Sequence, residues 1–261
     1  AVQQITALRH WLDADPHGLE RPLFLFVDGG YTNETVLKKL PPRTVLVGRI
    51  RKDAKLYFPP AASSPRRGRP AVYGIAAPTP EQVRVDDTIP WTTLEISVSG
   101  APHQMRVKRL GPVLWRAAGL AHSLQIVVIA PLSYRLRKNS KLLYRRPAFL
   151  VATDPAMDLR SLVQGYVQRN DIETNFRAEK TLLGVGQPQV RNAHSVAAVP
   201  ALQVAAYAML LLAILRLTGA PEAPDLLPPP KWNAPTAPPR FSTARAINQL
   251  RAELWGRALG L

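Results

Sequence analysis

The sequence contains no cysteine. That excludes a disulfide framework, cysteine-ligated metals and a thiol nucleophile, and it fits a reducing compartment. Acidic residues are scarce as well. Asp+Glu total 18 against 34 Lys+Arg, a formal charge of +16. A surplus of that size points to a polyanionic partner, of which nucleic acid is the commonest. No Gly-rich Walker loop is present, so nothing points to nucleotide hydrolysis. The five histidines (His10, His17, His103, His122 and His194) show no metal-ligand spacing. No basic-then-apolar signal segment opens the chain.

What is present is enough for a sizeable core: 261 residues, 46% of them hydrophobic. The spacing of Val2, Ile5, Leu8 and Leu12 predicts a helix over 2–13. Leu23–Val27 is an uninterrupted apolar run and reads as a strand buried on both faces, ending in Asp28 before Gly29-Gly30. Thr32 or Asn33 can cap a short helix through Leu40. Further strands are expected at 44–50, 92–98, 104–110, 124–130 and 147–153, with a long loop at 59–80. Helical periodicity runs from Asp158 to about Leu183. Val196–Leu215 carries no charge and is long enough for a bilayer. It is Ala-rich and interrupted by Pro200 and Gln203, so it is read as a core helix and no membrane is expected. A Pro-rich linker precedes a last helix capped by Ser242. An α/β core interrupted by a β-rich insertion explains this order.

The positive charge is concentrated. Between Glu95 and Asp154 there is no acid and there are ten Lys or Arg. Uncompensated charge on strands repels itself unless an anion such as a phosphate backbone neutralises it; a solvated basic surface is the plainer alternative. The loop Arg66-Arg67-Gly68-Arg69-Pro70 resembles the core of an AT-hook, which lies in narrow A·T minor grooves. Arg67, Arg69 and Lys138 are therefore candidate DNA contacts. Trp91 and Trp115 fall in or beside the basic stretch and read first as core residues, second as base-stacking ones.

Tyr166, Arg169, Glu173 and Lys180 stand at offsets 0, 3, 7 and 14. On one continuous helix they share an arc of roughly 60°. An ordinary Arg169–Glu173 surface pair explains part of this spacing. Asp28, at a strand end beside two glycines, is a second candidate, although an Asp can simply start a turn there. A carboxylate at a strand end and one on a facing helix, with oxygen ligands and no histidine, suit Mg²⁺ or Mn²⁺. Two such ions can drive phosphodiester chemistry. Asp154 also ends a strand and is the rival to Asp28, or a helix cap. Asp86-Asp87 reads as a surface turn.

The spacing Tyr-x2-Arg-x3-Glu-x6-Lys, and the stretches GYVQRNDIETNFRAEKTLLGVGQPQVRN and FLFVDGGYTN, resemble bacterial DDE transposases of the insertion-sequence-four type. The resemblance covers nearly the whole chain. It implies a ribonuclease-H-like core, three metal-binding carboxylates holding Mg²⁺ or Mn²⁺, cleavage of transposon ends and transfer of 3′ ends into target DNA. On this mapping Asp28 is the second acid and Glu173 the third. Tyr166, Arg169 and Lys180 contact DNA phosphates.

The implied organisation is a partial core over 1–43, a basic β-rich insertion over 44–146, and the rest of the core over 147–217. A linker over 218–241 and a terminal helix over 242–261 follow. The implied partner is double-stranded DNA, with a homodimer in the active complex, in the bacterial cytoplasm at the nucleoid. The first acid and its three strands have no counterpart, since only one helix precedes the Asp28 strand and Asp13 and Asp15 lie at that helix's end. The chain is thus expected to be an N-terminally incomplete fragment, inactive alone.

Overall fold

The computed structural model describes residues 1–61, 71–98, 101–135, 139–218 and 242–260. Arg67, Arg69 and Lys138, and all but the first residue of the expected linker, lie outside the described residues. The chain forms two compact units, Ala1–Arg169 and Asn170–Leu261.

The first unit is mixed α/β. It opens with α1 (Val2–Asp13), followed by β1 (Leu23–Val27), α2 (Glu34–Leu37) and β2 (Thr44–Arg49). Asn33 is the residue that caps α2, accepting from the Val36 N–H. Next come β3 (Leu56–Tyr57), β4 (Ala76–Ala77), α3 (Pro80–Val85) and β5 (Thr92–Val98). The long antiparallel pair β6 (Ala101–Trp115) and β7 (Gly119–Ile129) follows, then the small strands β8 (Ser133–Tyr134) and β9 (Leu143–Tyr144). β10 (Ala148–Ala152) and α4 (Leu159–Gln168) complete the unit.

Eight of these strands make one sheet in the order β1-β2-β10-β7-β6-β3-β4, with β5 also paired to β6. Only β1 and β2 are parallel; the other pairings are antiparallel. The boundary expected at residue 44 falls inside this sheet, because β2 sits between β1 and β10. The basic strands extend the same sheet and share its two apolar layers. One layer gathers Leu46, Leu56, Val113, Ile126 and Val151 on one face; the other gathers Val47, Val107, Val127, Leu150 and Leu162.

β1 departs from expectation. It is an edge strand: among the described strands only β2 pairs with it, and Phe24 is 44% exposed. It is therefore not buried on both faces. Its apolar run is what a strand paired on two sides would carry, displayed here on an open edge.

α1 is pinned by a buried arginine. Arg9 reaches Asp13 Oδ1 at 2.6 Å and the carbonyls of Arg21 and Gly18 at 2.7 and 2.8 Å. Arg43 joins the same Asp13 oxygen at 2.8 Å.

The second unit holds α5 (Asp171–Leu182), α6 (Ala193–Thr218) and α7 (Thr243–Leu259), the last capped by Ser242 as expected. The Tyr207 hydroxyl of α6 donates to Asn175 Oδ1 on α5 at 3.1 Å and lies 3.5 Å from Thr243 Oγ1 on α7. The core reading of the apolar helix is corrected here. Among its described side chains only Tyr207 is buried, and Leu202, Met209, Leu212 and Leu215 are exposed. Among the described residues of this unit only α5 and α7 accompany it, too few neighbours to cover a long apolar helix on every side. By length and hydropathy it is the one helix among the described residues that could cross a membrane.

Candidate nucleic-acid interface

The parallel pair β1–β2 delivers two charged residues to the same end of the sheet. Asp28 follows the last residue of β1, and Arg49 ends β2, one step beyond the Val27–Gly48 pair. Ligands commonly bind at the carboxyl ends of parallel strands, where loops diverge and leave a crevice. Asp28 is fixed by its own turn: its Oδ1 accepts the Gly29 N–H at 2.7 Å. Gly29 lies against Arg49, since a Cβ built there would stand 3.6 Å from Arg49 Cβ.

α4 brings the rest. Asp158 caps it, accepting the Ser161 N–H at 2.9 Å, which leaves its carboxyl below the usual range through that bond. Gly165 on α4 lets the helix lie directly on the Phe26 ring. Gln164 clamps the other side, accepting from Ser97 N–H at 2.8 Å and donating to its carbonyl at 3.0 Å. Thus seated, α4 places Arg169 Nη2 3.7 Å from Asp28 Oδ2. Tyr166 is half-buried beside them. Burial raises its phenol above the ordinary value, Asp28 adds to the rise, and Arg49 and Arg169 oppose it.

Asp28, Arg49, Tyr166 and Arg169 therefore form one cluster: a carboxylate among two guanidinium groups and a phenol. Arg49 was not anticipated from sequence. Its signal was present, however: a charged residue closing the apolar run that pairs in parallel with β1. Asp154 belongs elsewhere. β10 runs antiparallel to β2, so its last residues pair near the start of β2, and Thr153 N–H donates to Leu46 O. That is the opposite end of the sheet from Asp28. Asp154 does not cap α4 either; its Oδ1 accepts the Ala156 N–H in the preceding turn.

The expected single helix over 158–183 is two. α4 ends at Gln168 and α5 begins at Asp171, although the Arg169 N–H still donates to Gly165 O; the boundary between the units falls between Arg169 and Asn170. Tyr166 and Arg169 belong to the first unit. Glu173, in the first turn of α5, and Lys180, in its last turn, are exposed residues of the second. Their placement also suits the helix dipole, acid at the N-terminus and base at the C-terminus.

Compared with protein-family models, with curated proteins and with solved structures, the chain matches none.

Among the described residues no three Asp, Glu or His side chains gather as a metal site. Asp28 has the hard oxygen donors that Mg²⁺ or Mn²⁺ prefers, but its neighbours here are cations. The described residues do not by themselves fit such an ion. The cluster is instead suited to a phosphodiester: Arg49 and Arg169 offer planar donor forks to phosphate oxygens.

The basic stretch contributes unequally. Lys108 is buried, 1% exposed, and donates to the carbonyls of Arg84 and Asp86 at 3.2 and 2.6 Å. It caps the end of α3 and meets no solvent. Its ammonium and the Arg106 guanidinium lie 4.7 and 5.2 Å from the centroid of Trp91. Trp91 and Trp115 both pack against the core. Asp86 holds the expected turn, accepting from the Thr88 N–H and hydroxyl, which keeps its carboxyl below the usual range.

Proposed function

We propose that this chain is part of a DNA transposase of the DDE type and that the sheet end bearing Asp28 receives the DNA backbone. The observation that carries the reading is the Asp28–Arg169 pair, flanked by Tyr166 and Arg49. It joins the strand-end acid to the first half of the Tyr-Arg-Glu-Lys spacing. The open apolar edge of β1 supports the reading too, because the three further strands that the resemblance implies would pair there.

Cleavage of transposon ends and strand transfer would need Mg²⁺ or Mn²⁺ and three carboxylates, Asp28 and Glu173 among them. The described residues do not gather three. Cutting is therefore proposed only for a longer protein in which the missing acid comes from outside them. That protein would act as a homodimer on double-stranded DNA in the bacterial cytoplasm. A second reading, a non-catalytic DNA-binding protein, is favoured by Asp28 standing among cations.

The test is to express the longest open frame that contains this chain and incubate it, with Mg²⁺, with the DNA flanking its gene. Cutting that Asp28→Asn and Glu173→Gln abolish, with DNA binding retained, supports the transposase. Salt-sensitive binding without cutting in all three proteins supports the second reading. Absence of binding at low salt overturns both.

A further inference from the structure

β8 and β9 form an arm outside the eight-stranded sheet. The chain leaves the sheet after Ile129, the end of β7, and re-enters at Ala148, the start of β10. Ala148 pairs with Ile129, and Leu150 pairs with both Val127 and Arg49. β10 runs antiparallel to β2, and β1 runs parallel to it. The arm therefore springs from the sheet end at which β1 delivers Asp28.

A two-stranded ribbon has no core of its own and is marginal in water. In this one Ser133 stands opposite Tyr144, and Tyr134 opposite Leu143. Arg135 donates to the Ser140 carbonyl and Arg145 N–H to that of Leu132, which closes the ribbon at both ends. On one face the Arg145 guanidinium lies 5.5 Å from the Tyr134 ring centroid. On the other face Tyr144 is 66% exposed. Arg135, Lys141, Arg145 and Arg146 are exposed, and none of the ion pairs among the described residues includes them. The arm thus carries like charges that repel each other and a bare aromatic ring, at the mouth of the candidate interface.

We propose that this arm lies in the major groove of a DNA duplex whose backbone sits at the Asp28 end of the sheet. The inference rests on the reading that the chain binds DNA. A groove about 12 Å wide admits a two-stranded ribbon. The cations on the edges of the arm meet the phosphates that border the groove, and the Tyr144 ring packs on its floor.

The experiment measures binding of the full chain to a short duplex by fluorescence anisotropy over a range of salt, with methylation protection of guanine N7 reporting on the major groove. In the Lys141→Gln, Arg146→Gln double variant the slope of log K against log salt shrinks by about 0.9 for each cation removed. In Tyr144→Ala the affinity falls severalfold at an unchanged slope, and Tyr144→Phe restores it. Both the double variant and Tyr144→Ala lose N7 protection. A control, Arg21→Gln with Lys39→Gln, removes equal charge from the opposite end of the sheet and keeps the protection. Wild-type slope and protection in the arm variants overturn the proposal, as does an equal change in the control. A wild-type chain that binds no duplex overturns the DNA reading itself, and the arm with it.

Discussion

The Phe26 ring lies against the α-carbon of Gly165, so closely that a Cβ at 165 would come 2.0 Å from the ring's Cζ. This contact sets the distance between α4 and β1, and hence the reach from Arg169 to Asp28. Gly165→Ala gains up to about 1 kcal/mol of helix propensity. It also forces the ring or the helix to move, at about 1–3 kcal/mol. The expected result is a net loss of stability in urea unfolding and weaker DNA binding, because Arg169 is lifted off Asp28. An unchanged midpoint would show that the ring yields freely.

Lys108 separates charge that binds from charge that folds. Lys108→Met leaves two carbonyls at the end of α3 without their donor, which costs about 1–3 kcal/mol. The salt dependence of DNA binding is expected to stay as in the wild type, since no phosphate reaches a side chain so buried. Urea melts and binding isotherms on the same variant check both halves.

Tyr166 gives a signature at high pH. Burial raises its phenol above the ordinary 10.0. In the unfolded chain the phenol ionises near 10 and in the folded chain later, so the unfolded state sheds its proton first as pH climbs. The contribution of the neutral phenol is therefore complete below pH 10 and declines as pH rises through the folded value. Spectroscopic titration of phenolate absorbance should show a late component that Tyr166→Phe removes. Early titration in the wild type would place this ring in solvent.

In the second unit, the Tyr207 hydroxyl ties α5 to α7. Tyr207→Phe keeps the ring and loses about 1 kcal/mol of hydrogen bonding. Hydrogen exchange should quicken in α5 and α7 and stay unchanged in the sheet of the first unit. Uniform exchange would mean that Tyr207 packs without bridging.

Much of the first unit was legible in the sequence. Short apolar runs marked β1, β2, β5 and β10 to within a residue or two, because strand burial writes itself as composition. α3 was missed between the loop expected at 59–80 and the turn at Asp86-Asp87, although Thr79-Pro80-Glu81-Gln82 spells a capping box with proline at the first turn. The break at Arg169–Asn170 was missed, although asparagine is a weak helix former and Asn170 followed three residues later by Glu173 has the spacing of a helix start. Burial was the least legible quantity. An uncharged helix reads as a core, and the exposure of α6 depends on how many neighbours reach it. Likewise nothing in the spacing distinguished Lys108, which turns inward, from Arg106 two residues earlier. Of the candidate site, Asp28 and Arg169 were singled out separately; their meeting, and the arrival of Arg49, required the register of the sheet.

The sheet's centre also imposes an order on how the molecule is made. β6 and β7 meet across a tight turn, Trp115 pairing with Gly119, and can associate as soon as both are synthesised. β2 must wait: its Leu46 N–H donates to Thr153 Oγ1, 107 positions downstream. Closing so long a loop is slow, although lengthening it further would add little thermodynamic penalty. Until β10 emerges from the ribosome, the edge of β2 that faces away from β1 stands uncovered. The chain's vulnerability to misassembly is therefore concentrated in that interval of synthesis.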